Sequence, residues 1–182
     1  DDLALVLSSK KIGFFQLRLK KETNLNKLII GKKIKKICNK YKVKFLINDD
    51  PLLAKKLNAD GCHLGQKDMD LIKARRILKN KIIGVTCHNS INLAKRAIKD
   101  GANYLAFGAF YATKTKTVKY RASLTVLKSI KKITSLPIVA IGGIKFSNYK
   151  KLLLNKANFL AISGYIWNNK KYKPLEAIRK LK

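Results

Sequence analysis

Seven short apolar runs recur along the chain, and their spacing restricts the possible folds more than any other feature of the sequence. They are GFFQL (13–17), VKFLI (43–47), GCHL (61–64), IIGV (82–85), YLAFG (104–108), PIVAI (137–141) and FLAIS (159–163). Rich in Val, Ile and Phe and bounded by polar clusters, they read as strands. In the lysine-rich segments between them, apolar residues recur at three and four spacing, as in Leu25, Leu28, Ile29, Ile34, Ile37 and in Leu93, Ala94, Ala97, Ile98, which is the pattern of an amphipathic helix. A helix after every strand argues for parallel strands with crossover helices, and near-continuous apolar strands argue for burial on both faces. An open doubly wound sheet and a closed barrel both meet these conditions. Nearly every strand, however, ends in a polar or glycine-containing cluster (QLRLK, INDD, LGQKD, VTCHN, YATKTK, IGGI, ISGY), as the catalytic rim of a TIM (β/α)8 barrel requires. The expected fold class is therefore α/β, a TIM barrel. Residues 1–10, DDLALVLSSK, read as the end of a helix running into the strand at 13. The first strand of the barrel is accordingly expected upstream, and residues 1–182 are expected to form one N-terminally truncated barrel domain.

Composition excludes several classes. With 182 residues and 47% apolar content the chain can bury a real core. It has no apolar run of eighteen residues and no signal-peptide pattern at its start, so a soluble, cytoplasmic protein is expected, with no membrane partner. Three cysteines, Cys38, Cys62 and Cys87, fit neither a disulfide framework nor a zinc site, and Cys62 and Cys87 read as small buried hydrophobes. The formal charge of +31 invites a nucleic-acid reading. The lysines are spread over every expected helix instead of gathering on one arm or one recognition helix, which favours a solvated basic surface.

Against that background the stretch LINDDPLLAKKLNADGCHLGQKD (46–68) stands out, because it holds four of the ten carboxylates in the chain. Asp49 follows one strand and Asp68 the next, so adjacent parallel strands would bring both to one rim. Two acids and the amide of Asn48 suit a hard cation that keeps several waters, the preference of Mg²⁺. The same residues could equally be helix N-caps, Asp49 and Asp50 with Pro51 for one helix and Asp68 for another. Spacing alone leaves both readings open. Gln16, Arg18 and Lys20 alternate and so share a face, and Thr113, Thr115 and Lys116 form a second polar group on a later loop. Forked guanidinium, ammonium and hydroxyl groups around Mg²⁺ are the parts needed to bind a pyrophosphate. Gly142 and Gly143 would let backbone amides approach a phosphate, and Ser163 with Gly164 adds a hydroxyl and another bare backbone. His63, within a strand, reads as a packed residue; His88, at a strand end, could act as a base.

Taken in order, QLRLK, INDDPLLAKKLNADGCHLGQKD, GVTCHN, GANYLAFGAFYATKTK, VAIGGI and AIS resemble the thiamine phosphate synthase family over the whole chain. The resemblance implies a (β/α) barrel that joins a pyrimidine methyl diphosphate to a thiazole phosphate, releasing pyrophosphate, with Mg²⁺ as cofactor and these small molecules as partners. It implies that Gln16, Arg18, Lys20, Asn48, Thr86 and Lys116 hold the diphosphate, with Arg18, Lys20 and Lys116 catalytic. Asp49 and Asp68 would be the metal ligands, and Thr113, Lys114, Thr115, Gly143, Ile162 and Ser163 would line the thiazole phosphate site. It also implies a dissociative reaction that needs no enzyme nucleophile. The chain departs from the family pattern in three places. Leu19 replaces an acid, but alternation turns it away from Gln16 and Arg18; Thr86 replaces a serine; and Ala109 and Ala112 replace prolines, which should loosen the loop that follows. A thiazole tautomerase would need the phosphate site and a base such as His88 but not the acidic pair. A basic nucleic-acid-associated protein would bind mixed DNA with steep salt dependence.

Overall fold

The computed structural model describes residues 2–113 and 120–181. Each of the seven apolar runs forms a strand. These are β1 (Phe14–Leu17), β2 (Lys44–Asn48), β3 (Gly61–Leu64), β4 (Ile82–His88), β5 (Tyr104–Phe107), β6 (Ile138–Ile141) and β7 (Phe159–Ala161). The helices are α1 (Asp2–Ser8), α2 (Asn24–Lys40), α3 (Pro51–Lys56), α4 (Leu71–Leu78), α5 (Ile91–Lys99), α6 (Leu124–Lys131), α7 (Tyr149–Leu154), α8 (Gly164–Trp167) and α9 (Pro174–Lys180). The chain divides into two compact units, Asp1–Gly84 and Val85–Lys182, with the division inside β4. Among the described residues no helix is long and apolar enough to cross a membrane.

In the first unit β1, β2 and β3 pair in parallel, with Leu17 opposite Ile47 and Asn48 opposite His63. Phe45, Leu46 and Ile47 are all buried, so β2 is covered on both faces, as its unbroken apolar run requires. Helix α2 begins where the Thr23 side chain accepts a hydrogen bond from the Asn26 amide at 3.2 Å. It then packs closely at Gly31, where a β-carbon would run into the Leu57 side chain. All three cysteine thiols are free and buried.

In the second unit β5, β6 and β7 pair in parallel, with Ala106 opposite Val139 and Ala140 opposite Leu160. Its core gathers Leu105, Phe107, Leu127, Ile130, Ile138 and Leu152. In both units the strands lie side by side in chain order, as in a (β/α) barrel and without the reversal found at the switch point of a doubly wound sheet. The expected parallel α/β architecture is thus present.

One polar clamp recurs. The Phe45 amide donates to the Asp60 carboxylate at 2.9 Å while the Asp60 amide donates to the Phe45 carbonyl at 2.8 Å. In the second unit the Ile138 amide donates to the Asn158 side-chain oxygen at 2.9 Å, and the Asn158 amide returns a bond to the Ile138 carbonyl at 2.8 Å. Each clamp fixes the register of two neighbouring strands at their starts, leaving the opposite ends free to carry other groups. Burial would raise the Asp60 carboxyl, but the Phe45 amide and the Lys44 ammonium, 3.0 Å away, outweigh it and hold the group below the usual carboxylate range.

A group with a depressed native value stabilises the fold above its unfolded value and loses that contribution as pH falls through the native one. Asp60→Ala, which orphans the Phe45 amide, is expected to cost about 1–3 kcal/mol in urea unfolding at neutral pH. Asp60→Asn keeps the acceptor, as Asn158 does, and should cost less. Its deficit relative to the unmodified chain should shrink as pH drops below the ordinary carboxyl value of 3.8; a deficit that stays constant would assign the loss to geometry instead of charge.

Candidate active site

Buried on both faces, β2 can place polar side chains only at its end, and there Asn48, Asp49 and Asp50 follow Ile47 as half-buried residues. Beside them, at the end of β1, lie Arg18 and Lys20. Together these residues border a cavity of about 310 Å³, with Lys27 of α2 and the apolar Leu17, Leu19, Ile47 and Leu53. The Gln16 side-chain amide donates to the Asn48 side-chain oxygen at 2.9 Å, so the ends of β1 and β2 are tied together through side chains. The Lys20 ammonium stands 3.3 Å from the Asp49 carboxylate. Gln16, Arg18, Lys20, Asn48 and Asp49 are therefore brought together as expected. Leu19 is not turned away: β1 ends at Leu17, the strict alternation ends with it, and Leu19 borders the same cavity.

The structure identifies the helix caps among the clustered acids. Asp50 caps α3, its carboxylate accepting from the Leu53 amide at 2.9 Å with Pro51 in the first helical turn. Asp70 caps α4, accepting from the amides of Ile72 at 3.0 Å and Lys73 at 3.3 Å. Asp49 and Asp68, which the cap reading had claimed, cap neither helix.

Asp49 adopts a left-handed backbone, φ 64°, at the turn out of β2, and its amide donates to the His63 carbonyl at 2.8 Å. Such strain in a residue with a side chain is characteristic of functional turns. Asp68 is held from the other side by the Gly65 amide, which donates to its carboxylate at 2.7 Å. The two carboxyl groups are close enough to act on each other. Burial pushes Asp68 up, and the neighbouring Asp49 pushes it further in the same direction. At Asp49 burial acts upward too, but the bonds from Asp68 and Lys20, with the charges of Lys20 and His63, hold it below the usual range. Two neighbouring acids, one pushed up by the other, are a pair that a hard divalent cation would relieve. Among the described residues no group of three or more His, Cys, Asp or Glu side chains is placed to hold a metal ion, so a cation here would take only these two carboxylates and fill its other positions with water or substrate oxygens.

The remaining expected residues belong to the second unit. Thr86 is half-buried within β4, and His88 ends that strand at φ 53° with its ring 4.6 Å from the Tyr120 ring. Thr113 is half-buried, Ile162 half-buried and Ser163 exposed beside the short α8. Lys114, Thr115 and Lys116 lie outside the described residues. The glycine pair has a structural use of its own. A β-carbon on Gly142 would strike Ala109, and one on Gly143 would strike the Ala112 carbonyl, so both are bare because the segment 109–112 passes over them. Alanine in place of proline supplies a backbone donor at position 109, while the loop expected to loosen lies, from Lys114 on, outside the described residues. The Ala109 amide donates to the Tyr120 carbonyl at 3.2 Å, a bond proline could not make, and Phe110 and Tyr111 donate to the carbonyls of Ile141 and Gly142, each at 3.1 Å.

Sequence reasoning missed two residues. Lys27 borders the cavity, and nothing in the sequence distinguishes it from the other lysines of α2. His63 was read as packed, and it is buried, but its charge also acts on Asp49; the strand register, which sets it opposite Asn48, is the signal that could have found it.

Comparison with known proteins gives a consistent picture. Residues 2–166 match the model of the thiamine monophosphate synthase family. A thiamine-phosphate synthase of Pelagibacter ubique is 96% identical over 182 residues, all of this chain and 88% of that protein. One from Marinobacter nauticus is 45% identical over 150 residues, 82% of this chain and 67% of that protein. Among solved structures, a thiamine phosphate pyrophosphorylase from Pyrococcus furiosus superimposes with a TM-score of 0.88 at 27% identity, covering 99% of this chain and 85% of that one.

The two roles of neighbouring acids are separable by stability alone. Asp50→Ala removes a cap and should cost about 1 kcal/mol in thermal or urea unfolding. Asp49→Asn removes one of two crowded carboxylates and should change stability by less than about 0.5 kcal/mol. A larger loss for Asp49→Asn than for Asp50→Ala would reverse the assignment.

Proposed function

This chain belongs to the thiamine monophosphate synthase family, and we propose that it makes thiamine phosphate by joining a pyrimidine methyl diphosphate to a thiazole phosphate with release of pyrophosphate. The observation that carries this reading is that Arg18, Lys20 and Asp49 line one cavity with Asp68 acting on Asp49 beside it, since a metal-assisted diphosphate departure needs those charges together. In this reading Gln16, Arg18, Lys20, Asn48, Thr86 and Lys116 hold the diphosphate, and Thr113, Lys114, Thr115, Gly143, Ile162 and Ser163 hold the thiazole phosphate.

Asp49 and Asp68 are assigned to Mg²⁺, which the donor set fits: two carboxylates side by side, few other protein ligands, and room for water. When bound, the ion supplies positive charge against the diphosphate oxygens. The Arg18 guanidinium offers a fork to two phosphate oxygens, and Lys20, held toward the site by Asp49, offers a point charge. These groups favour the separated charges of the transition state over the intact ester. The bond between the methylene carbon and the diphosphate oxygen breaks with its electron pair on the departing pyrophosphate. The lone pair of the thiazole nitrogen then forms the new bond to that carbon. Neither event requires a nucleophile or proton acceptor from the protein. In keeping with this, burial raises the thiols of Cys62 and Cys87 to about 12, far from the reactive thiolate form. We assign the reaction to the cytoplasm as part of the same reading.

Supplying both substrates with and without Mg²⁺ and assaying thiamine phosphate tests the proposal. Product should form only with the metal, and Asp49→Asn and Asp68→Asn should each lower turnover by about 100-fold or more. Full activity in either variant would sink the metal assignment. A folded chain that binds thiazole phosphate yet forms no product would point instead to a tautomerase.

A further inference from the structure

We infer that Lys27 is a further binding residue for the diphosphate, contributing a third cation from α2 to the cavity at the ends of β1 and β2. The inference rests on the reading of that cavity as the diphosphate site. Its support is the placement of this one lysine. Helix α2 starts at the Thr23 cap, and the Lys27 amide donates to the Thr23 carbonyl at 2.9 Å, so the root of the side chain is fixed in the second turn of the helix. From there the side chain borders the cavity together with Arg18, Lys20, Asn48 and Asp49.

Lys27 is half-buried, while Lys32, Lys33, Lys36 and Lys40 of the same helix are exposed. Two other half-buried lysines, Lys35 and Lys81, are held by protein acceptors. Lys35 donates to the carbonyls of Leu57 at 3.0 Å and Asn58 at 2.7 Å, and Lys81 donates to the Asn58 side chain at 2.8 Å. Lys27 takes part in no ion pair among the described residues. An ammonium group drawn part-way out of water without a carboxylate partner is stabilised by an anion that enters the cavity.

The charges lining the site point the same way. Lys20 is matched by Asp49, and the Asp50 carboxylate is engaged by the Leu53 amide. Among the described residues Arg18 and Lys27 are the lining cations that no ion pair holds, and a multiply charged diphosphate needs more than one. Their chemistries divide the task. The planar fork of Arg18 fixes orientation, whereas a lysine on a flexible stem can follow a phosphate group as it moves away.

Binding of inorganic pyrophosphate, measured by calorimetry with Mg²⁺ present throughout, tests this directly. Lys27→Gln should weaken binding by about tenfold, and Lys27→Arg should restore most of it. In turnover, Lys27→Gln should raise KM for the pyrimidine diphosphate and leave KM for the thiazole phosphate unchanged. Lys33→Gln, on the exposed face of the same helix, controls for the general basic charge of the chain and should have no effect. The inference is overturned if Lys27→Gln binds pyrophosphate as tightly as the unmodified chain while Arg18→Gln does not, or if Lys33→Gln weakens binding equally. Should the unmodified chain fail to bind pyrophosphate at all, the reading of the cavity falls and this inference falls with it.

Discussion

A strand covered on both faces has nowhere to put a polar side chain except its ends, and most of what this protein does follows from that. Phe45, Leu46 and Ile47 fill β2 with apolar atoms, and the three residues after them are an amide and two acids. The start of the same strand is taken by the Asp60 clamp, which uses up the backbone and side-chain polar groups there. Parallel pairing then carries each strand's far end to the same side as its neighbour's. Within the first unit, the chemistry-bearing residues become neighbours without any one of them needing a long loop.

This is also why so much of the fold could be read from the sequence. The seven apolar runs are short, unbroken and regularly spaced, so the strands fall where the pattern puts them, within a few residues at their ends. The site was legible only as far as strand ends could be located. Asp49, Asp50, Asp68 and Asp70 are the same residue type within one stretch, and what separates the two caps from the other two is the direction of each carboxylate relative to a helix start, a property of the folded chain. Leu19 was misplaced because alternation was extended past the last paired residue. Lys27 was invisible for the plainest reason: among 41 basic residues, one more lysine carries no information until its burial is known. The glycine pair shows the converse, since the pattern was noticed while its use in passing one chain segment over another could not be foreseen.

Inside a chain of formal charge +31 the electrostatics of the cavity are unusual. Surface lysines are screened by water and salt and need no partner. Beside the cavity the opposite problem arises, because burial and the neighbouring Asp49 both push the Asp68 carboxyl above the usual carboxylate range. Lys20 offsets part of that crowding.

The pair of strand clamps bears on how such a chain can change. Asp60 and Asn158 do the same mechanical work, one with an acid and one with an amide, and several helix starts here use Thr23 or Ser90 where others use Asp50 or Asp70. An acid in those places is exchangeable for a neutral oxygen at modest cost, so drift toward a basic composition can pass through them. On the proposal that Asp49 and Asp68 hold a metal ion, no neutral oxygen supplies the same charge there, and a shift in composition that reaches every other part of the molecule would have to halt at those two positions.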